Sequence, residues 1–98
     1  MSPNDYNDFV SAVGEEFSTT LASVSDDICG VDVYAVVTSV FPLRLSPELL
    51  ANITSEQTEN LRARFCGYFE VADHIVTTEQ IGTAIFRMLR RWPPKRIN

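Results

Sequence analysis

The chain has 98 residues, of which 45% are hydrophobic and 21% are charged. This length and composition predict one globular domain with one modest core, and they exclude a second domain and a largely disordered chain. No apolar run reaches the roughly 18 residues needed to cross a bilayer. The N-terminus lacks the basic start and apolar centre of a secretory signal, so we expect no membrane contact and a cytoplasmic location.

The formal net charge of −5 is unevenly distributed. All thirteen acidic residues lie between Asp5 and Glu79, whereas five of the eight basic residues follow position 86. An acidic body disfavours a general nucleic-acid surface. The basic end either complements a helix dipole or forms a docking tail for an acidic partner such as RNA or tubulin. We assign residues 1–92 to one helical domain and residues 93–98 to a basic tail.

Ser2 and Pro3 predict the start of a first helix, as its N-cap and first helical residue. Apolar residues then recur at steps of three and four, which is typical of one helical face. They are Tyr6, Phe9, Val10, Val13, Phe17, Leu21 and Val24. The helix should run to about residue 23, because polar residues 25–27 and then Gly30 follow.

Residues 31–41 carry two conflicting patterns. Their many valines favour a strand, whereas the spacing of Val33, Val36, Val37 and Val40 favours a helix. We predict a helix that has Asp32 as its N-cap and ends before position 42, which is proline.

Three further helices are predicted from their starting residues. Ser46 and Pro47 begin a short helix that runs to about residue 53, and Thr54 begins a longer one that runs to about residue 70. Thr77 begins the last helix, which runs to Trp92. The sequence therefore predicts an all-α domain of four main helices and one short helix. Gly14 and Gly67 fall within predicted helices, and we attribute them to close helix packing.

Residues 31–41 and 76–86 are similar to each other at a constant offset of 45. Three positions are identical, and valines of the first segment become isoleucines in the second. Each segment follows an amphipathic helix and a loop. The similarity predicts two helix–loop–helix units of like build that pack as one lobe.

At these residues the chain resembles the EF-hand family, and calmodulin-like proteins in particular. The second unit carries the likeness, in residues 54–57 before its first helix, Phe65 and Tyr68 near that helix's end, and residues 76–83. The resemblance implies that residues 76–83 are the end of a loop and the start of the exiting helix. It also implies that Val76 pairs with Val31 in a short extended bridge between the two loops.

The calcium chemistry of that family is missing from both predicted loops, which would span residues 24–35 and 69–80. Calcium requires several oxygen ligands and a closing bidentate carboxylate. The loops would begin with Val24 and Phe69 and end with Ala35 and Gln80, none of which supplies a carboxylate. We therefore predict no physiological calcium binding, and no metal or other cofactor.

Paired EF-hand units open a hydrophobic cleft that holds an amphipathic helix. The resemblance implies such a cleft here, although the same side chains would equally suit a closed core. The partner-binding residues that we predict are Val36, Val40, Phe41, Phe69, Ile81, Ile85 and Met88. The leading hypothesis is a calcium-independent, calmodulin-like adaptor or light chain. It would bind a basic amphipathic helix of a larger cytoskeletal or motor protein, in the cytoplasm and in association with the cytoskeleton.

Other functions are weighed against this hypothesis. Catalysis by a cysteine–histidine pair would require Cys29 or Cys66 to meet His74, but no motif supports this, so we predict that the chain is not an enzyme. A small nucleic-acid-binding regulator would use the arginines of the last helix. An acidic inhibitor or immunity protein would use its acidic surface to block a basic partner enzyme. The sequence leaves the last two open as alternatives.

Overall fold

The computed structural model describes residues 3–24 and 30–92, which form five α-helices with no strand among them. The helices are α1 (Pro3–Thr20), α2 (Gly30–Thr38), α3 (Pro47–Ala51), α4 (Ser55–Tyr68) and α5 (Thr78–Arg91). The all-α class with one short helix is confirmed for this part of the chain. The predicted basic tail at residues 93–98 and the predicted N-cap Ser2 lie outside the described residues.

Three helix starts are fixed by the side chains that the sequence predicted. The Ser46 hydroxyl accepts a backbone N–H of α3 at 3.2 Å. Thr54 and Gln57 form a reciprocal capping box on α4, with bonds of 3.0 and 3.1 Å. Thr77 and Gln80 form the same box on α5, with bonds of 2.9 and 3.1 Å. Each cap satisfies backbone donors that would otherwise lack partners, and is worth about 1 kcal/mol.

Packing overrides intrinsic preference in α2, where valines form a helix. Val33 and Val37 are fully buried, so the apolar stripe is covered by the rest of the domain. The predicted helix is confirmed, but two details of its start are wrong. Because α2 begins at Gly30, Val31 is helical rather than extended, and Asp32 lies within the first turn rather than at the N-cap.

Two predicted C-termini are about one turn too long. The first helix ends at Thr20 rather than near residue 23, and α2 ends at Thr38 rather than at Phe41. The chain continues from each end in turns, with the Val24 N–H bonded to the Leu21 carbonyl at 2.9 Å and the Phe41 N–H bonded to the Thr38 carbonyl at 3.3 Å. The apolar spacing therefore extends beyond the regular hydrogen bonding.

The end of α4 is a Schellman motif built around a residue that is not glycine. Glu70 has a φ of 54°, in the left-handed region. Its N–H bonds to the Gly67 carbonyl at 3.3 Å, and the Val71 N–H bonds to the Cys66 carbonyl at 3.0 Å. These two bonds satisfy carbonyls at the end of the helix, as the motif requires.

The helices pack around one core. The first helix contacts α2 and α5, α4 contacts α5 and α2, and α3 contacts α5. The largest fully buried side chains come from all five helices, the turn after α1 and the connection before α3. They are Phe9, Phe17, Phe65, Leu21, Leu45, Leu50, Leu61, Ile81, Met88, Val13, Val33 and Val37. A shared core is thereby established, whereas the division of the helices into two EF-hand-like units remains a prediction.

Aromatic contacts join α1 to the second half of the chain at two places. Phe17 of α1 stacks on Phe65 of α4 with 5.8 Å between ring centroids, and Phe65 stacks on Phe69 at 6.1 Å. At the other place, Phe9 of α1 meets Trp92, directly after α5, at 5.6 Å. Such pairs add about 0.5–1.5 kcal/mol each beyond the area that they bury.

The buried positions show a different register for the internal similarity. Counted from the two helix starts, Val33 and Val37 correspond to Ile81 and Ile85, and all four are buried. This is an offset of 48. The offset of 45 instead matches buried Val33 with exposed Thr78. The offset of 45 found from sequence similarity therefore differs from the offset of 48 found from burial by three residues, nearly one helical turn.

Candidate protein-binding site

Five of the seven residues predicted to bind a partner lie in the core, with at most 6% of their surface exposed. They are Val36, Phe41, Ile81, Ile85 and Met88. Val40 and Phe69 are partly buried and pack against the core. The rest of the chain covers these side chains, so a partner could contact most of them only if the helices separated. Val36 differs, because it also lines a groove at the surface.

The groove lies between α2 and α4 and has a volume of about 400 Å³. Its lining is Ala35, Val36 and Ser39 from α2, and Arg64, Gly67 and Tyr68 from α4. Small and apolar side chains form most of it, and the polar groups stand at only a few positions. A concave, mainly apolar site with a few polar groups is the usual form of a binding site.

Tyr68 is half exposed, at 50%, and its ring also contacts the rest of the protein. It meets Phe69 edge to face at 5.0 Å and 85°. Phe69 stacks on Phe65, which stacks on Phe17, so a row of four aromatic rings runs from the groove into the core. A rigid aromatic side chain offers a large contact area at a low cost in conformational entropy.

Gly67 has no explanation within the described part of the molecule. It is exposed, and a Cβ added there would have no atom within 4 Å. The close helix packing predicted around it is therefore wrong, whereas Gly14 on α1 is buried. A glycine inside a helix costs up to about 1 kcal/mol relative to alanine. Its position in the groove would let the backbone of another molecule approach α4 closely.

The same turn of α4 departs from helix-forming rules a second time. Glu70, three residues after Gly67, takes the left-handed conformation that glycine adopts without steric cost. Gly67 thus occupies a position where alanine would give a more stable helix. Glu70 occupies a position where glycine would give a more stable chain. Local departures of this kind are expected at functional sites.

Arg64 gives the groove a positive charge that no described residue pairs with. Arg62, two positions earlier, is different, because its guanidinium bonds to Glu59 at 2.6 Å and to the carbonyl of Asp73. The hydrogen bond between Arg62 and Glu59 raises the pKa of Arg62 and lowers the pKa of Glu59. One arginine of α4 therefore ties the helix to the loop before α5, and the other remains available at the groove.

A second cavity, of about 310 Å³, lies between α1 and the end of α5. Asp8, Ser11 and Glu15 line it from α1, opposite Arg91 and Trp92. Arg91 pairs with Glu15 at 3.1 Å and also with the neighbouring carboxylate at position 16. The hydrogen bonds to these carboxylates raise the pKa of Arg91. Since Arg91, the cation of this lining, already pairs with carboxylates of the chain, this cavity presents a weaker case for binding.

Tyr6, Tyr34 and Arg44 form a polar cluster between α1, α2 and the connection before α3. The two phenol groups are hydrogen-bonded to each other, and the Arg44 guanidinium lies 3.5 Å above the Tyr6 ring. Burial, together with the bond to Tyr6, raises the pKa of Tyr34 to about 12. The bond from Tyr34, together with Arg44, lowers the pKa of Tyr6. The cluster is a structural contact between elements rather than an open site.

The candidate catalytic residues do not form a site in the described residues. Cys66 is buried, and its thiol donates to the Asp73 carbonyl at 3.6 Å, which suits a structural role. His74 is exposed, and Cys29 lies outside the described residues. Within residues 3–24 and 30–92, no three histidine, cysteine or carboxylate side chains are grouped as metal ligands.

Comparison with protein families, curated sequences and solved structures finds no significant match. The EF-hand resemblance therefore stays a prediction made from residues alone. Among the described helices, none is both long and apolar enough to cross a bilayer. The candidate site accordingly depends on the geometry of the α2–α4 groove.

Proposed function

We propose that this chain is a calcium-independent adaptor that binds an amphipathic helix of a larger protein in the α2–α4 groove. The observation that carries the proposal is the groove of about 400 Å³, in which Gly67 and Ala35 leave room beside Tyr68. A groove between two helices is a common docking place for the apolar face of a third. The aromatic ring would supply contact area, and the glycine would permit close approach of backbones.

Charge supports a basic partner helix with one acidic position. The net charge of −5 attracts a basic partner over a distance and raises the rate of association. Arg64 is a local exception in the groove. A carboxylate of the partner opposite Arg64 would fix the register of the bound helix, because a charge-assisted hydrogen bond is directional.

The EF-hand resemblance agrees with this class of partner. It supports a calmodulin-like or light-chain role in the cytoplasm, with a cytoskeletal or motor protein as the larger component. The groove differs from the cleft that the resemblance implies, because it shares only Val36 with the predicted partner-binding residues. Binding at the groove requires no opening of the core, so it requires no calcium-driven change of state.

The proposal is tested by placing a charge in the groove. The full chain is used to isolate its partner from the native source in high salt, and the affinity of the purified pair is measured by calorimetry. Ala35→Glu should weaken binding at least about tenfold, because a carboxylate would be desolvated against apolar groups. Ala63→Glu is the matched control, at an exposed helix position outside the groove lining. Wild-type affinity for Ala35→Glu would contradict the proposal.

A further inference from the structure

The outward face of α5 differs from the rest of the acidic surface. Its inward face carries Ile81, Ala84, Ile85 and Met88, all buried. At spacings of four residues on the outward face stand Gly82, Phe86 and Arg90, which share one line along a helix. We call these three residues and Arg87 the α5 stripe.

Phe86 is the principal apolar group of the α5 stripe. It is 60% exposed, although it is a large aromatic side chain on a regular helix. The Arg90 guanidinium lies 5.6 Å from the centre of its ring, within the range of a cation–π contact. The ring is therefore held beside a positive charge and remains open to solvent on its outer side.

The cations of the α5 stripe have no carboxylate partners among the described residues. Arg62 and Arg91 each pair with a glutamate of the chain, but Arg87 and Arg90 do not. Both are exposed. On a chain with a net charge of −5, these two side chains make a local positive surface with an aromatic ring at its centre.

Gly82 supplies an independent observation at the same place. It is exposed inside α5, and no atom lies within 4 Å of the position that a Cβ would take. The described structure therefore gives no packing reason for a glycine that costs up to about 1 kcal/mol relative to alanine. One turn before Phe86, it leaves a flat surface on which the main chain of another molecule could lie against the ring.

We propose that the α5 stripe is a second docking surface, for an acidic protein segment that carries an apolar residue beside its carboxylates. The carboxylates would pair with Arg87 and Arg90, and the apolar residue would cover Phe86 next to Gly82. Aromatic and arginine side chains are the residue types that contribute most at protein interfaces. Nucleic acid fits less well, because its closely spaced phosphates would extend past Arg87 and Arg90 towards the chain's own carboxylates, whereas a short segment presents only a few charges.

This surface is independent of the α2–α4 groove and has the opposite charge preference. The groove, on an acidic body, suits a basic helix, whereas the α5 stripe suits an acidic segment. With both surfaces occupied, one chain of 98 residues would join two partners of opposite charge. The acidic partner would bind more weakly as salt is raised, because exposed charge pairs are screened.

The test uses the full chain and three synthetic probes in calorimetric titrations. The first probe is a helix-forming peptide with leucines along one face and glutamates beside them. The second has lysines in place of the glutamates, and the third is a short DNA duplex. The acidic peptide should bind more tightly than the duplex, and it should be the only probe whose binding depends on the α5 stripe, since the lysine peptide suits the groove. Phe86→Ser should weaken binding of the acidic peptide about tenfold, and Arg87→Gln severalfold.

Two controls separate docking from general charge and from unfolding. Ala63→Glu lowers the net charge by the same single unit as Arg87→Gln, but on α4, and should leave the affinity for the acidic peptide within about twofold. Urea midpoints of all variants should stay close to that of the wild type, because the altered side chains are exposed. An equal loss of lysine-peptide binding in Phe86→Ser, tighter binding of the duplex, or wild-type binding of the acidic peptide by Phe86→Ser would overturn the proposal.

Discussion

The two ends of α4 are built in opposite ways. At its start, Thr54 and Gln57 satisfy each other's backbone groups in a complete capping box. At its end, Gly67 lies inside the last turn, and Glu70 takes the left-handed conformation that favours glycine. The start therefore follows the rules for a stable helix, and the end departs from them twice within four residues.

The difference indicates where the chain gives up stability. The start of α4 lines no part of the groove, whereas Gly67 and Tyr68 near its end do. Alanine at position 67 and glycine at position 70 would each make the chain more stable, but neither is present. Such sacrificed stability is a common feature of sites that serve a function. The comparison thus supports the groove as a site, without reference to any related protein.

The largest expected effect comes from the last turn of α4. Phe65 is fully buried and stacks on both Phe17 and Phe69. Phe65→Ala should lower the free energy of unfolding by about 3–5 kcal/mol, because it leaves a cavity and removes two ring contacts. Urea denaturation measures this. Phe86→Ala, at a residue 60% exposed, serves as the control and should cost far less.

A smaller loss is expected at the regular end. Thr54→Ala removes the hydroxyl that accepts the Gln57 N–H, and should cost about 1 kcal/mol in urea denaturation. Thr77→Ala should cost a similar amount, because α5 starts with the same capping box. If neither substitution changed the urea midpoint, the contrast between the two ends of α4 would lose its energetic basis.

Gains in stability are expected at the irregular end. Gly67→Ala should raise the free energy of unfolding by up to about 1 kcal/mol, since the added methyl group meets no atom. Glu70→Gly should also raise it, by about 0.5–1 kcal/mol, because the left-handed strain is removed. Gly82→Ala is the matched helical control for Gly67→Ala. Of these two glycine variants, only Gly67→Ala should also weaken binding of a partner in the groove.

The smallest expected effect is spectroscopic and concerns the contact between α1 and α2. In the folded chain, burial and the bond to Tyr6 raise the pKa of Tyr34 from 10.0 to about 12. The neutral phenol is therefore favoured by folding, and its stabilising contribution is complete below pH 10 and lost as the pH rises towards 12. An ultraviolet titration of tyrosinate should show a step near pH 12 that is missing in Tyr34→Phe. Persistence of that step would contradict the assignment.

Much of the fold could be predicted, because its signals are local. Apolar steps of three and four residues predicted the main helices, and Ser46, Thr54 and Thr77 marked three starts correctly. The helical state of α2 required the spacing of its valines to be weighed above their strand preference. The exact ends of α1 and α2 could not be predicted, because tertiary packing rather than periodicity decides where regular hydrogen bonding stops.

The candidate site was less accessible to sequence reasoning. An apolar stripe shows which face of a helix is covered, but it does not show whether the cover is the same chain or a partner. Ile81, Ile85 and Met88 were therefore expected at a binding cleft and lie in the core. The groove did leave one signal, Gly67 within a helix, but its meaning depended on whether anything packs against it in three dimensions.

Trp92 is the sole tryptophan of the chain, and its ring lies 5.6 Å from that of Phe9, where the first and last helices meet. Its fluorescence emission consequently reports on that junction. Followed alongside far-ultraviolet circular dichroism, it would distinguish separation of the terminal helices from the melting of helices in general. A difference between the two transitions would show that the domain does not unfold in a single cooperative step.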